Sequence, residues 1–79
     1  MRKLPKQIVE HVRYWAESVE RFGLPEIRKL PGYHDEPLKG QRHGQRSIRL
    51  NKAYRLIYEE DSSGDYVVVG VMEVNKHEY

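Results

Sequence analysis

The sequence predicts a small α+β domain in which N-terminal helices pack on one face of a small antiparallel sheet. Three observations predict it: an apolar stripe with helical spacing near the N-terminus, two runs of strand-forming residues joined by a short turn, and a valine-rich run that follows them. A helical layer on a sheet is a standard way to bury one apolar face of each. With 79 residues, the chain can form a single domain with a small core.

The first predicted element is a helix of about five turns over residues 4–22. Its apolar residues recur at steps of three and four: Leu4, Ile8, Val12, Trp15, Val19 and Phe22. Charged residues fall mostly on the other side, so we expect a surface helix packed by one face, with Trp15 in the core rather than in a binding site. Pro5 suits the first turn and Gly23 the C-terminal stop.

A loop and a β-hairpin are predicted to follow. Residues 24–29 can form a second, short helical turn, and residues 30–40 contain two prolines and two glycines, which predicts an ordered loop. Residues 45–51 and 54–60 have the alternation and the residue types of strands, and only a short turn separates them. These two runs should pair as a hairpin.

The third predicted strand covers residues 66–74, after a turn at residues 61–65. It is apolar on both faces, which is typical of a strand with neighbours on both sides. The sequence therefore predicts a three-stranded antiparallel meander with this run as the central strand.

Charge is distributed unevenly along the chain. The net charge is only +2, but residues 39–55 contain six lysines and arginines and no acid, whereas residues 56–79 contain six acids and one lysine. A compact positive segment suits a polyanion such as nucleic acid. The alternative is a solvated charged strand on an ordinary surface.

Composition also excludes several classes of protein. The chain has no cysteine, so it is neither a disulfide scaffold nor a protein with thiolate zinc sites. No apolar run approaches the roughly 20 residues of a membrane helix, and nothing resembles a signal peptide. We therefore expect a cytoplasmic protein that does not contact a membrane.

Strand alternation predicts an anion site on the outer face of the sheet. If Ile48 and Leu50 face the helix, Arg49 faces outward, and pairing with the next strand brings Arg55 onto a neighbouring row. Guanidinium groups bind phosphate oxygens in pairs and can stabilise the charge that develops on a pentacoordinate phosphorus. The preceding loop adds basic side chains at the rim: Lys39, Arg42, His43 and Arg46.

Cleavage of RNA also requires groups that move protons. The candidates are His43 and the C-terminal Lys76, His77 and Tyr79, because an imidazole can act as acid or base near neutral pH and a phenol can donate a proton or stack on a base. The alternative for each histidine is a solvent-exposed side chain without a role.

Other chemistries lack their residues. The sequence has no glycine-rich phosphate loop, no cysteine nucleophile and no metal-ligand spacing among its four histidines. We expect a mechanism without metal or organic cofactor.

Four ordered segments resemble toxins of the RelE/ParE superfamily. Three of the segments resemble the central block of the HigB-like branch: P-L-K-G at residues 37–40, G-Q-R-S-I-R-L-N at residues 44–51 and Y-R-L-I-Y at residues 54–58. The end of superfamily members is similar to E-V-N-K-H-E-Y at residues 73–79.

The resemblance implies a RelE-like fold and the toxin of a type II toxin–antitoxin pair, a ribosome-dependent endoribonuclease that cuts mRNA by attack of the 2′-hydroxyl. It implies Arg49 and Arg55 as the phosphate-binding pair, with His77 and Tyr79 completing the catalytic set. RNA-binding side chains are then expected at Lys39, Arg42, His43, Arg46, Lys52 and Lys76. The implied partners are mRNA, the ribosome and a neutralising antitoxin that covers the basic face, in a heteromer or with a second copy of the chain.

Some positions depart from the family pattern and leave alternatives open. Many HigB-like toxins have histidine where this chain has Glu36, and family members usually begin with a strand before the first helix, so an N-terminal edge strand is expected to be absent. ParE relatives share the fold but poison DNA gyrase without cutting RNA. A gyrase-directed toxin and an inactive, toxin-like binding module are therefore the alternatives.

Overall fold

The computed structural model describes residues 4–40 and 44–74. Two helices lead: α1, Lys6–Phe22, and α2, Leu24–Arg28. A 3₁₀ turn, Pro31–Tyr33, then leads into four strands: β1, Glu36–Pro37; β2, Gln45–Arg49; β3, Tyr54–Glu60; and β4, Tyr66–Glu73. The strands form one antiparallel sheet in the order β1-β2-β3-β4, which confirms the predicted α+β class with its helices before its sheet.

The α1 helix packs by its apolar stripe, as its periodicity predicts. Ile8, Trp15 and Val19 are buried against the sheet, where Ile48 and Leu56 meet them. The ring of Trp15 lies 5.2 Å from that of Tyr58 and 5.0 Å from that of Tyr66, at the tilted and edge-on angles that aromatic pairs favour. The predicted core position of Trp15 is confirmed, whereas Phe22 at the end of the stripe is exposed.

Gly23 joins the two helices. Its φ of 90° lies in the left-handed region that side chains avoid, and its N–H donates to the Val19 carbonyl at 2.7 Å. The chain can therefore turn sharply at Gly23, and Leu24 and Ile27 of α2 enter the same core as α1.

Two predictions about the sheet were wrong. The sheet has four strands rather than three, because Glu36 and Pro37, inside the predicted loop, pair with Ser47 and Arg46 of β2. The apolar run β4 is an edge strand rather than the central one, since within the described residues it pairs with β3 alone. Of its valines, Val67, Val68 and Val69 are exposed and only Val71 packs against the core, so the apolar composition of β4 does not mean that both of its faces are buried.

Side-chain oxygens fix the turns that set the strand register. Asn51 Oδ1 accepts hydrogen bonds from the backbone N–H groups of Ala53 and Tyr54 at 2.7 and 2.9 Å, which closes the β2–β3 turn. Asp61 does the same for the β3–β4 turn, and the hydrogen bonds donated by Ser63 and neighbouring backbone amides lower the pKa of its carboxyl.

Candidate functional site

The arginines of β2 and β3 lie directly opposite each other. Ladder pairing joins Ile48 to Leu56 and Arg49 to Arg55, just before the turn that connects the two strands. Since Ile48 and Leu56 are core residues, strand alternation places the arginine pair, Arg49 and Arg55, on the face away from the helices. This is the juxtaposition that the sequence predicted.

Arg55 is held in a defined position by neutral acceptors. Its Nε and Nη2 atoms donate to Ser47 Oγ at 3.1 and 3.0 Å, and Nη2 also donates to the His34 carbonyl at 3.3 Å. Ser47 is only 3% exposed, so the acceptor beneath the guanidinium is fixed by its surroundings. Arg55 is thus oriented by neutral oxygens, without a carboxylate partner among residues 4–40 and 44–74.

Arg49 is exposed, and it makes no hydrogen bond or ion pair with any part of the chain that the structure describes. Like charges directly opposite each other on a sheet destabilise it, by roughly 0.2–1 kcal/mol. Within residues 4–40 and 44–74, no carboxylate forms an ion pair with either member of the arginine pair. The arrangement therefore favours an external anion that touches both guanidinium groups.

Negative charge lies at the other end of the same sheet face. Glu59 Oε2 accepts a hydrogen bond from Gln45 Nε2 at 2.9 Å, and the two residues are cross-strand partners. Glu59 follows Arg55 by four residues on β3, which separates the two positions by about 13 Å along an extended strand. Glu59 therefore places a negative charge on this face at the end of β3 away from the arginine pair.

The remaining predicted site residues divide into three groups by where the structure places them. Lys39 and Lys52 are exposed, in the segments that follow β1 and β2. Arg46, which the sequence placed at the RNA-binding rim, instead donates through Nε to Asp35 Oδ1 at 2.5 Å and is 24% exposed. The other predicted site residues lie outside the described residues: Arg42, His43, Lys76, His77 and Tyr79.

Arg46 belongs to a cluster centred on Asp35, whose side chain is only 1% exposed. Asp35 Oδ2 also accepts a hydrogen bond from the Tyr58 hydroxyl at 2.6 Å, and Arg28 Nε lies 4.0 Å from Oδ1. Burial raises the pKa of Tyr58 to about 12, with the hydrogen bond to Asp35 adding to the rise, so the phenol remains a proton donor. We call these four residues the Asp35 cluster.

The Asp35 cluster also positions the backbone that holds Arg55. His34, next to Asp35, has a φ of 47° and a ψ of 52°, the left-handed conformation that non-glycine residues rarely adopt. In this conformation its carbonyl faces Arg55 Nη2, while the Asp35 side chain points to the helix side of the sheet. A structural ion pair and the candidate anion site thus share one loop.

A groove beside Arg49 was missed by the sequence reasoning. It lies between α1, the 3₁₀ turn and the end of β2, has a volume of about 310 Å³, and is lined by His11, Tyr14, Leu30, Tyr33 and Arg49 among others. We call it the α1 groove. The three-residue spacing of His11 and Tyr14 on one helix face is the sequence signal that could have found part of it.

The described part of the chain gives no sign of a metal site or a membrane segment. Among residues 4–40 and 44–74, no group of histidine and acidic side chains is arranged to hold a metal ion. The helices in those residues are too short or too polar to cross a bilayer.

No protein-family model matches the chain, and searches of curated proteins and of solved structures also find no match. The resemblance to HigB-like toxins, and every role it implies, therefore remains a prediction.

Proposed function

We propose that the chain is the toxin of a type II toxin–antitoxin pair, a metal-independent endoribonuclease that cuts mRNA on the ribosome and so inhibits translation in the cytoplasm. The observation that carries the proposal is the arginine pair: two guanidinium groups directly opposite each other, with neutral acceptors alone beneath Arg55 and no ion-paired carboxylate among the described residues.

The chemistry of RNA cleavage uses such a pair. When the 2′-hydroxyl attacks the adjacent phosphorus, the phosphate passes through a pentacoordinate state with extra negative charge on its oxygens. Arg55, already oriented by Ser47 and His34, and Arg49, free to move onto the phosphate, would bind those oxygens more tightly as the charge develops. His77 and Tyr79 would supply the proton transfers that the resemblance assigns to them.

Basic side chains around the pair would bind the rest of the RNA. Lys39 and Lys52 are exposed and carry charges that would contact neighbouring phosphates, as would Arg42, His43 and Lys76. Arg46 is ion-paired with Asp35 on the helix side of the sheet, so we assign it no RNA contact. A cognate antitoxin with acidic side chains would inhibit the toxin by occupying the arginine pair in place of phosphate.

The test is expression of the full chain in bacteria without an antitoxin, with growth followed and transcript 5′ ends mapped. Wild type should arrest growth and create new 5′ ends within translated codons, and Arg55→Ala should abolish both. Arg21→Ala is the matched control, because it removes an exposed arginine from α1, outside the site. It should behave as wild type.

Other outcomes would contradict the proposal in distinct ways. Growth arrest without new 5′ ends, together with inhibition of DNA supercoiling, would favour a gyrase-directed toxin. Normal growth with a soluble, folded product would favour a binding module without toxicity. Loss of activity in Arg21→Ala as well would show that the effect is not specific to the arginine pair.

A further inference from the structure

The α1 groove continues the proposed phosphate site. Arg49 belongs to the arginine pair and is also among the residues that line the groove, so the phosphate site and the groove share one residue. The volume of about 310 Å³ is at the lower end of the range for small-molecule sites, which suits one nucleoside rather than a longer segment.

His11 lines this groove and is held by a hydrogen bond of its own. Its Nδ1 atom lies 2.7 Å from the backbone carbonyl oxygen of Leu50. Because a carbonyl oxygen can only accept, Nδ1 carries the hydrogen, and in the neutral imidazole Nε2 then has a free lone pair. The bond to Leu50 holds the ring in place, so the acceptor is oriented before any ligand arrives.

Aromatic and aliphatic side chains form the walls. Tyr14 is 68% exposed, so its ring is accessible to a ligand in the groove, and Leu30 is also exposed. Tyr33 is half-buried, and burial, with Tyr14 nearby, raises the pKa of its phenol and keeps the ring uncharged. Flat, uncharged rings beside an exposed arginine are the combination on which single-stranded nucleic acids stack their bases.

We propose that the α1 groove is a nucleoside subsite: it takes one unpaired base of the RNA strand held by the arginine pair, stacked on Tyr14, while His11 Nε2 accepts a hydrogen bond from the ribose 2′-hydroxyl. The 2′-hydroxyl is the only free sugar hydroxyl inside an RNA strand, and DNA lacks it. The inference rests on the proposed function, since it assumes that RNA phosphate occupies the arginine pair.

The test compares three labelled strands of equal phosphate number, each about eight nucleotides long: oligoadenylate RNA, an abasic ribose-phosphate strand, and oligodeoxyadenylate. Affinity is measured by fluorescence anisotropy with the full chain, and a gel after each titration checks that the strands are intact. Wild type should bind the RNA about tenfold more tightly than the abasic strand, as stacking of a single base predicts.

Three variants separate the contributions. Tyr14→Ala should reduce RNA affinity about tenfold without changing affinity for the abasic strand, because it removes the stacking surface but no charge. His11→Phe keeps an aromatic ring and removes the acceptor, so it should remove the preference for RNA over DNA. Phe22→Ala is the matched control, an aromatic residue that is 61% exposed on the same helix and does not line the groove, and it should bind as wild type.

The subsite and the proposed function fail differently. If Arg55→Ala weakens binding of all three strands but wild type binds RNA and abasic strand equally, the subsite is wrong and the phosphate site stands. If Phe22→Ala loses as much affinity as Tyr14→Ala, the groove is not the binding surface and the subsite is again wrong. If wild type binds none of the strands, both proposals are contradicted.

Discussion

Two groups of arginines lie within one small sheet, and they differ in what surrounds them. In the Asp35 cluster, a carboxylate that is nearly inaccessible accepts hydrogen bonds from Arg46 and Tyr58 and has Arg28 beside it. In the arginine pair, Arg55 meets only neutral oxygens and Arg49 makes no hydrogen bond or ion pair within the described residues. Arg46, Arg49 and Arg55 belong to one basic run in the sequence, yet their positions in the sheet give them different hydrogen-bond partners.

The difference follows from the pleat and from one loop. Arg46 lies on the helix side of β2, opposite Tyr58, where the loop before β1 brings Asp35 against it. Arg49, three residues later, lies on the other side, and no described carboxylate forms an ion pair with it. A buried charge must be paired to be tolerated, whereas an exposed charge can remain available for a ligand. Removing the Asp35 cluster should therefore affect stability, and removing the arginine pair should affect binding.

The largest expected effect is that of Asp35→Ala. It leaves Arg46 and the Tyr58 hydroxyl without their acceptor, and breaking a buried ion pair costs about 3–5 kcal/mol. For a domain of this size that is a large share of the free energy of unfolding, so the midpoint of urea denaturation should fall markedly. Glu26→Ala, which breaks the exposed pair with Lys29, is the control and should change stability by less than about 1 kcal/mol. Similar losses of stability in Asp35→Ala and Glu26→Ala would contradict the view that the Asp35 cluster stabilises the fold.

Alkaline pH should weaken the same cluster through Tyr58. Its pKa is about 12 in the folded protein, above the value of about 10 for an unfolded chain. The stability that depends on this proton is therefore fully present below about pH 10 and is lost as the pH rises through about 12, and it amounts to about 2–3 kcal/mol. Between about pH 9 and about pH 11.5, wild type should lose more free energy of unfolding than Tyr58→Phe. Equal losses would mean that Tyr58 is not the group that titrates.

Ser47→Ala should separate orientation from charge in the arginine pair. It removes the acceptor of two Arg55 donors and leaves both guanidinium groups in place. We expect a loss of about 1 kcal/mol in stability and of about threefold in RNA affinity, because Arg55 is no longer held for binding. Ser63→Ala, in the exposed β3–β4 turn, is the control for RNA affinity and should leave it unchanged. Unchanged RNA affinity in Ser47→Ala would show that this hydrogen bond does not serve binding.

The smallest effect on stability, and one of opposite sign, is expected from Arg49→Glu. It replaces two like charges facing each other with an opposite pair, which should stabilise the sheet by roughly 0.5 kcal/mol. The same change should abolish RNA binding, since the carboxylate repels phosphate and occupies Arg55. Thermal unfolding would measure the change in stability, and fluorescence anisotropy on the same preparation would measure the loss of RNA binding. A destabilised Arg49→Glu variant would contradict the view that repulsion between Arg49 and Arg55 destabilises the folded sheet.

Local pattern was enough to predict much of this molecule. The spacing of Ile8, Trp15 and Val19 predicted the buried face of α1, and alternation along β2 predicted that Arg49 faces away from the core. Pairing of the two runs predicted Arg55 on a row next to that of Arg49, and the register places the two directly opposite each other. These features depend on residues that are close in sequence, so the sequence determines them directly.

Long-range pairing was not predictable in the same way. Glu36 and Pro37 carry no strand signal, because proline lacks a ladder donor and a two-residue strand has no periodicity, yet they form the edge strand beside β2. The contact between Asp35 and Arg46 depends on that edge strand, so the role of Arg46 was missed with it. For β4, an apolar composition on both faces did not reveal that one edge of the strand has no neighbouring strand among the described residues.

The most direct test of the arginine pair as a phosphate site is the salt dependence of RNA binding. For single-stranded nucleic acid, each phosphate contact contributes about 0.7 to the slope of log affinity against log salt concentration. Wild type and a double variant, Arg49→Ala with Arg55→Ala, would be titrated with one RNA strand at several salt concentrations, beside a control that removes Arg13 and Arg21 from α1. We predict that the slope for the double variant is smaller than that for wild type by about 1.4, and that the slope for the control is unchanged. Equal slopes in wild type and the double variant would contradict it.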